Sequence, residues 1–254
     1  MLDACRAGFR LAGFVALCVA ELMEWLTVVA LFGRAKCHQA RAEWLSRFCQ
    51  RLVRLFGVEV EVSGRPPADG LLVCNHLSYL DIVVLVAQAP TIFLSKSEVR
   101  NWPGLGVLVQ CAGTLFVDRE RRSDVARAGA ELGAALKSGT PVCMFPEGTS
   151  SDGTRVLPFR SSLLAPAIDH DCRVNPVWIG YELEEGSVEE EVCYWGDMSF
   201  GPHFLNLLGK RRIYARVRYG TPQSPGDDRK ALAAALHDEV SRLGRCEGSA
   251  LQIA

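Results

Sequence analysis

The sequence predicts an α/β fold with a mixed, largely parallel sheet flanked by helices, preceded by an N-terminal membrane-docking helical segment. Three observations carry this expectation. Short unbroken apolar runs recur through the middle of the chain, as in strands buried on both faces. Helical stretches lie between them, the alternation of an α/β domain. The chain also opens on a long apolar stretch followed by a basic one. The 254 residues fit one large domain or two small ones. An apolar fraction of 49% and a charged fraction of 22% exclude disorder and collagen-like repeats. A net charge of −1 leaves no basic footprint for nucleic acid, so none is expected as a partner. Ten cysteines amount to about 4% of the chain, too few for a disulfide scaffold. Cys18, Cys74, Cys111 and Cys143 sit in apolar runs and are expected as reduced core thiols. No Cys/His pair has zinc spacing, so no metal site is expected.

The elements follow in chain order. Residues 11–20 are unbroken apolar, Glu21 and Glu24 interrupt, and residues 25–33 resume the pattern. A spanning helix needs about 20 apolar residues, and acids near its middle are costly in lipid. Two short helices, or one helix lying partly in the membrane, are therefore expected. A secretory signal competes, with Arg6 and Arg10 before the run and Cys18-Val19-Ala20 as the cleavage site. The apolar pattern continues past that cut, which argues against it. Between Arg34 and Arg54, six Lys/Arg residues face one acid, Glu43. Trp44, Phe48, Leu52 and Leu55 share one helical face, with Arg47, Arg51 and Arg54 beside it. Such a helix binds an anionic lipid surface, packs on the main domain, or does both. Residues 1–55 are thus expected as the membrane-associating segment and 56–254 as the main domain.

Beyond a turn cluster at residues 64–70, strands are expected at 71–74, 91–94, 114–117, 141–145 and 174–179. Helices are expected at 80–87, 123–137 and 227–243, the second with Val125, Ala128, Leu132 and Leu136 on one stripe. The acidic stretch 182–191 reads as a solvated loop or hairpin. His38, His170 and His237 read as surface residues, while His203 lies in a loop of open role.

Asn75-His76-Leu77-Ser78-Tyr79-Leu80-Asp81 follows the first buried strand and opens a helix. Five positions on a continuous helix rotate through about 500°, so His76 and Asp81 would not share a face there. They meet if His76 sits in the turn and Asp81 in the first helical turn. Ser78-x-x-Asp81 offers that layout as a capping-box-like start. A carboxylate on one imidazole nitrogen fixes the tautomer and leaves the other as a base. A helix cap with an incidental histidine is the plainer alternative. Phe145-Pro146-Glu147-Gly148-Thr149 follows another buried strand, and ligands of open α/β sheets gather at that edge. No Ser stands in a G-x-S-x-G elbow, and there is no P-loop or dinucleotide fingerprint.

His76-x-x-x-x-Asp81 resembles the first motif of the glycerolipid acyltransferases, the 1-acylglycerol-3-phosphate acyltransferases among them. Gly113-Thr114-Leu115-Phe116-Val117-Asp118-Arg119 resembles their second motif, Phe145-Pro146-Glu147-Gly148-Thr149 their third, and Val174-Asn175-Pro176-Val177 roughly their fourth. The match covers about residues 70–180, and the apolar, basic N-terminus is similar to the family's membrane-docking helices. The resemblance implies a membrane-bound O-acyltransferase on the cytoplasmic face of the membrane. It would move a fatty acyl group from a thioester to the free hydroxyl of a lysophospholipid such as 1-acylglycerol-3-phosphate. There would be no cofactor beyond coenzyme A or acyl carrier protein as the acyl carrier. His76 would be the base and Asp81 its partner. Glu147, Gly148 and Thr149 would bind the acceptor, Arg119 its phosphate, and Lys96 the acceptor or the donor. One departure stands out: many lysophosphatidate acyltransferases carry Arg where this chain has Ser150. Arg155 and Arg160 would then substitute, or the acceptor lacks a phosphomonoester. The stretches 145–159 and 195–203 look like the branch that acylates lyso-ornithine lipids. A catalytically silent lipid-binding protein and a thioesterase-like hydrolase are the rival classes.

Overall fold

The structure is a computed structural model that describes residues 2–32, 38–97, 110–111, 113–117 and 122–245. Helix α1 (Leu2–Phe32) is a single unbroken helix, with no interruption at Glu21 or Glu24. The reason lies in α2 (His38–Phe56). Glu21, 1% exposed, is ion-paired to Arg51, and Glu24 lies 3.7 Å from Arg47. Two arginines of the expected lipid-facing cluster are thus turned toward α1. Trp44, Phe48, Cys49, Leu52 and Phe56 bury the opposite flank of α2 in the main core, the outcome of a helix packed on the domain. Leu55 is only half-buried and packs over Gly13 of α1. Phe56 takes its expected place in the seam.

The sheet comprises β1 (Val58–Ser63), β2 (Leu71–Cys74), β3 (Ile92–Lys96), β4 (Leu115–Val117), β5 (Val142–Met144), β6 (Val174–Leu183) and β7 (Ile213–Tyr219). Among the described residues its order is β1-β7-β6-β2-β5-β3-β4. Strands β6, β2, β5, β3 and β4 run parallel, and β7 with β1 run opposite to them. This is the mixed, largely parallel sheet expected. The search for unbroken apolar runs misses β1 and β7. Val58-Glu59-Val60-Glu61-Val62 and Ile213-Tyr214-Ala215-Arg216-Val217 alternate instead, because the outer pair of strands has one wet face. Strand β6 also runs four residues past its expected end, into the acidic stretch read as a loop. The stretch then turns into the short helix α6 (Val188–Glu191). Its N-terminus is capped by Ser187, whose hydroxyl accepts the Glu190 N–H.

The remaining helices are α3 (Leu80–Gln88), α4 (Arg122–Lys137), α5 (Ala165–Asp169), α7 (Phe200–Gly209) and α8 (Arg229–Arg245). Two apolar clusters fill the two faces of the sheet. One joins α1, α2, α3 and α7 to residues such as Cys74, Val177 and Ile179, and the other joins α4 and α8 to Leu71, Val73 and Val174. Arg6 and Arg10 of α1 donate to the Gly209, Leu208 and Lys210 carbonyls at the C-terminus of α7. They satisfy acceptors that the end of a helix leaves open. Cys74 and Cys143 are fully buried free thiols, while Cys18 and Cys111 are only partly buried. His170 is half-buried: its ring packs on Gly133 of α4 and meets the Gly129 carbonyl at 3.1 Å. His237 is half-buried against Phe159 and the Val156 carbonyl.

Candidate active site

The parallel strands β2, β5 and β3 all deliver their C-terminal ends to one edge, where the expected chemistry gathers. Residues 75–79 leave β2 as a tight turn into α3, and Asp81 stands in the first turn of that helix. Asp81 is 0% exposed, and its carboxylate collects four donors. Oδ2 accepts the His76 Nδ1–H at 2.7 Å, the Leu77 N–H at 2.7 Å and the Ser78 N–H at 3.0 Å. Oδ1 accepts the Tyr181 hydroxyl at 2.7 Å. The predicted His76–Asp81 meeting therefore occurs, with the Ser78 role corrected. The Ser78 hydroxyl caps nothing and is buried without a partner among the described residues; only the carboxylate half of the capping box forms. The turn is held by backbone N–H groups on Asp81, a stronger acceptor than a hydroxyl.

With Nδ1–H committed to Asp81, the lone pair of His76 is on Nε2. That nitrogen makes no hydrogen bond among the described residues. The imidazole stacks on Phe145, with centroids 3.9 Å apart and planes 11° from parallel, and its side chain keeps 21% exposure. A neutral imidazole fixed on one edge and one face, with its free nitrogen at the sheet edge, can take a proton from a bound hydroxyl.

The loop after β5 lies against this turn. Gly148 adopts φ +77°, and its N–H closes on the Phe145 carbonyl at 3.1 Å, a turn that favours glycine. Glu147 is buried at 3% exposure. Its Oε1 accepts the His76 N–H at 3.4 Å, the Leu157 N–H faces the same carboxyl group, and among the described residues Oε2 has no partner. Burial pushes its carboxyl up to about 8; the two N–H groups pull against this and the Asp81 charge adds to it. The Ser151 N–H donates to the His76 carbonyl at 3.0 Å, and the Tyr194 N–H to the Leu77 carbonyl at 2.8 Å, tying three segments together. Thr149 is exposed beside the turn.

The other expected site residues fare differently. The structure places Lys96 at the end of β3, paired with Val117, on the same sheet edge. Arg119 lies outside the described residues. Arg155 and Arg160 are exposed. Arg155 lines a cavity with Asn75, Leu77, Trp178 and His237 whose walls include neither His76 nor Glu147. The Ser150 hydroxyl hydrogen-bonds to the Tyr194 carbonyl. His203 is buried in α7, not in a loop. Its Nε2 meets the Cys193 carbonyl at 3.0 Å, so its Nδ1 accepts the Tyr79 hydroxyl at 2.9 Å. Burial lowers its pKa.

Sequence reasoning missed Tyr181 and Asn75. The Asn75 amide pairs with the Ile179 backbone both ways, accepting its N–H and donating to its carbonyl, each at 2.9 Å. Nothing local to these residues announces a partner about a hundred positions away; only the β2–β6 pairing does.

The chain is similar to known acyltransferases. The family profile described as Acyltransferase matches residues 58–180. A Brucella abortus protein named "Lyso-ornithine lipid O-acyltransferase" is 36% identical over 216 residues, 78% of this chain and 81% of that protein. A Pseudomonas aeruginosa protein of the same name is 36% identical over 237 residues, 91% of this chain and 89% of its own. A Neisseria meningitidis "1-acyl-sn-glycerol-3-phosphate acyltransferase" is 29% identical over 210 residues, covering 80% and 82%. The crystal structure of the 1-acyl-sn-glycerophosphate (LPA) acyltransferase PlsC from Thermotoga maritima has the same fold. Its TM-score is 0.59 at 21% identity, over 92% of this chain and 98% of PlsC. The motif-bearing loops stand at one edge of a shared fold and the likeness spans most of each relative, so the chain belongs to the acyltransferase family that acts on lysolipids.

Proposed function

We propose that this acyltransferase moves a fatty acyl group from an acyl thioester to the free hydroxyl of a phosphate-free lysolipid such as lyso-ornithine lipid. The His76–Asp81 geometry supports the reaction. His76 Nε2 takes the hydroxyl proton as the oxygen attacks the thioester carbonyl. The tetrahedral intermediate then collapses, the C–S bond breaks, and the imidazolium returns the proton to the leaving thiolate. Asp81 stabilises the imidazolium, and no acyl-enzyme forms. General base catalysis of this kind contributes about 10²–10⁴-fold. Glu147 and Gly148 hold the acceptor beside the base.

Ser150 supports the choice of acceptor. Its hydroxyl is turned to the Tyr194 carbonyl, so the residue after Glu-Gly-Thr offers no cation to a phosphate. The relatives named for lyso-ornithine lipid also share 34–36% identity with this chain. The second reading, 1-acylglycerol-3-phosphate as acceptor, draws on the relatives of that name at 29–33%, the highest of them matched over only 141 residues. Offering both lysolipids to the purified full chain, each with acyl-coenzyme A and with acyl carrier protein, decides. We expect product from lyso-ornithine lipid at least tenfold faster in kcat/KM, a difference of about 1.4 kcal/mol. Ser150→Arg should lower turnover of lyso-ornithine lipid. Preference for 1-acylglycerol-3-phosphate by the unaltered chain, raised further by Ser150→Arg, would replace the first reading with the second.

The lipid substrate reaches the site from a bilayer on which α1 docks. Among the described residues no helix is long and apolar enough to cross a membrane. At about 100° per residue, Leu2, Phe9, Val15, Val19, Met23 and Leu26 share one side of α1, each more than half exposed. Asp3, Arg6, Arg10, Glu21 and Glu24 all lie on the other half. An uncharged apolar stripe on a long surface helix fits a helix lying in the interface plane.

A further inference from the structure

We infer that Tyr181 is a positioning residue for the reaction: its hydroxyl on Asp81 Oδ1 sets the orientation and basicity of the His76 imidazole. The inference rests on the reading of His76 as the base.

The backbone explains how Tyr181 arrives there. Strand β2 ends at Cys74, which pairs with Val177, while β6 continues to Leu183, held on its far side by β7. Residues 178–183 therefore project beyond β2, over the turn that carries His76. The two-way Asn75–Ile179 amide pair extends the sheet through a side chain and locks β6 to the residue just before His76. Alternation along the strand then puts Tyr181 on the face of Val177 and Ile179, which is the α3 face. Its hydroxyl meets the one carboxylate oxygen that the turn leaves open.

The consequence is electrostatic and geometric. Three donors crowd Oδ2, and among the described residues Tyr181 is the one donor to Oδ1. Without it a buried carboxylate oxygen loses its partner. Negative charge then concentrates on the oxygen facing His76, which holds the imidazolium proton more tightly. Burial, followed by the Asp81 charge, raises the tyrosine pKa well above its ordinary value, so its O–H stays a donor through the working range.

Other groups face this set. Glu147 comes from the loop after β5, Cys74 from β2, Cys143 from β5 and Cys193 from the segment before α7. The thiols stay neutral: burial pushes Cys193 up to about 12 and raises Cys74 and Cys143 as well. Glu147, near 8, titrates in the same window as a histidine. His76 must therefore be read directly, by NMR titration of ¹³Cε1-histidine-labelled full chain, with the peak assigned by its loss in His76→Ala.

In Tyr181→Phe we expect the His76 midpoint to rise by about half to one pH unit, and the acid limb of the kcat profile to move the same way. kcat at the optimum should fall about tenfold with both KM values within about twofold, the pattern of an interaction that matters in the transition state. A folded Phe variant with an unmoved His76 midpoint would overturn the assignment. If Phe unfolds the chain, 3-fluorotyrosine at 181 keeps the hydroxyl and makes it a stronger donor. The midpoint should then fall, and no movement would equally overturn the role. Should His76→Ala retain turnover, the base assignment fails first. Should it be dead while the Tyr181 variants leave His76 unmoved, only the Tyr181 role fails.

Discussion

At the scale of single residues, the site depends on what each buried group has been given to bond with. His76→Ala should remove turnover by about 10²-fold or more without unfolding the chain, because the ring leans on Phe145 and stays partly exposed. Steady-state assays with circular dichroism check both halves of that statement. Asp81→Asn should be nearly as damaging, since an amide in that position presents a donor where two backbone N–H groups and the imidazole need an acceptor. Glu147 carries a pH-dependent prediction. Its carboxyl titrates near 8 in the folded chain against an ordinary 4.5. Between those values the folded state holds a proton that the unfolded state has released. Raising the pH therefore disfavours folding through that window, and the loss is complete above about 8. Glu147→Gln cannot ionise, so its thermal midpoint should match that of the unaltered chain near pH 5 and exceed it increasingly toward pH 8. A constant gap across that range would contradict the burial argument.

At the scale of elements, the junction of α1 and α2 converts an expected liability into a joint. Glu21 and Glu24 would break an apolar span in lipid, yet here they meet Arg51 and Arg47 on the neighbouring helix. Arg51→Ala leaves Glu21 buried without its ion-pair partner. The expected cost is about 3 kcal/mol, the low end for a broken buried pair because Arg51 itself is half-exposed. The double variant Arg51→Ala/Glu21→Gln should recover most of it, as urea denaturation would show. This joint was half legible in the sequence. The acids and the arginines were visible, but a helical wheel treats each helix alone and cannot pair them. The strands divide the same way. β2, β5 and the start of β6 are apolar on both faces and announce themselves, whereas β1 and β7 hide in alternating charge at the sheet's outer side.

At the scale of the whole molecule, the charges of α1 are gathered on one side of the helix and exposed apolar side chains on the other. Phe9→Asp/Val19→Asp/Leu26→Asp should abolish flotation of the full chain with phosphatidylglycerol-containing vesicles while leaving its circular dichroism unchanged. Binding should weaken little between low and high salt, because Arg47 and Arg51 face the acids of α1. A steep salt dependence would instead assign the interaction to the exposed cations of α2. Arg10 ties this surface helix to the C-terminus of α7 through the Leu208 and Lys210 carbonyls.

The sequence by itself determined the chemistry and its approximate address. His76, Asp81 and Glu147 are close enough along the chain to a strand end for local pattern to place them, and their motifs carry the family resemblance. Only the tertiary structure decided how that chemistry is held. Tyr181 and Asn75 reach the site through a parallel strand pair, Ser78 yields its capping role to backbone amides, and Arg51 turns from lipid to Glu21. Each of these outcomes depends on a contact between residues far apart in the chain, and such contacts are set by packing, which no local spacing encodes.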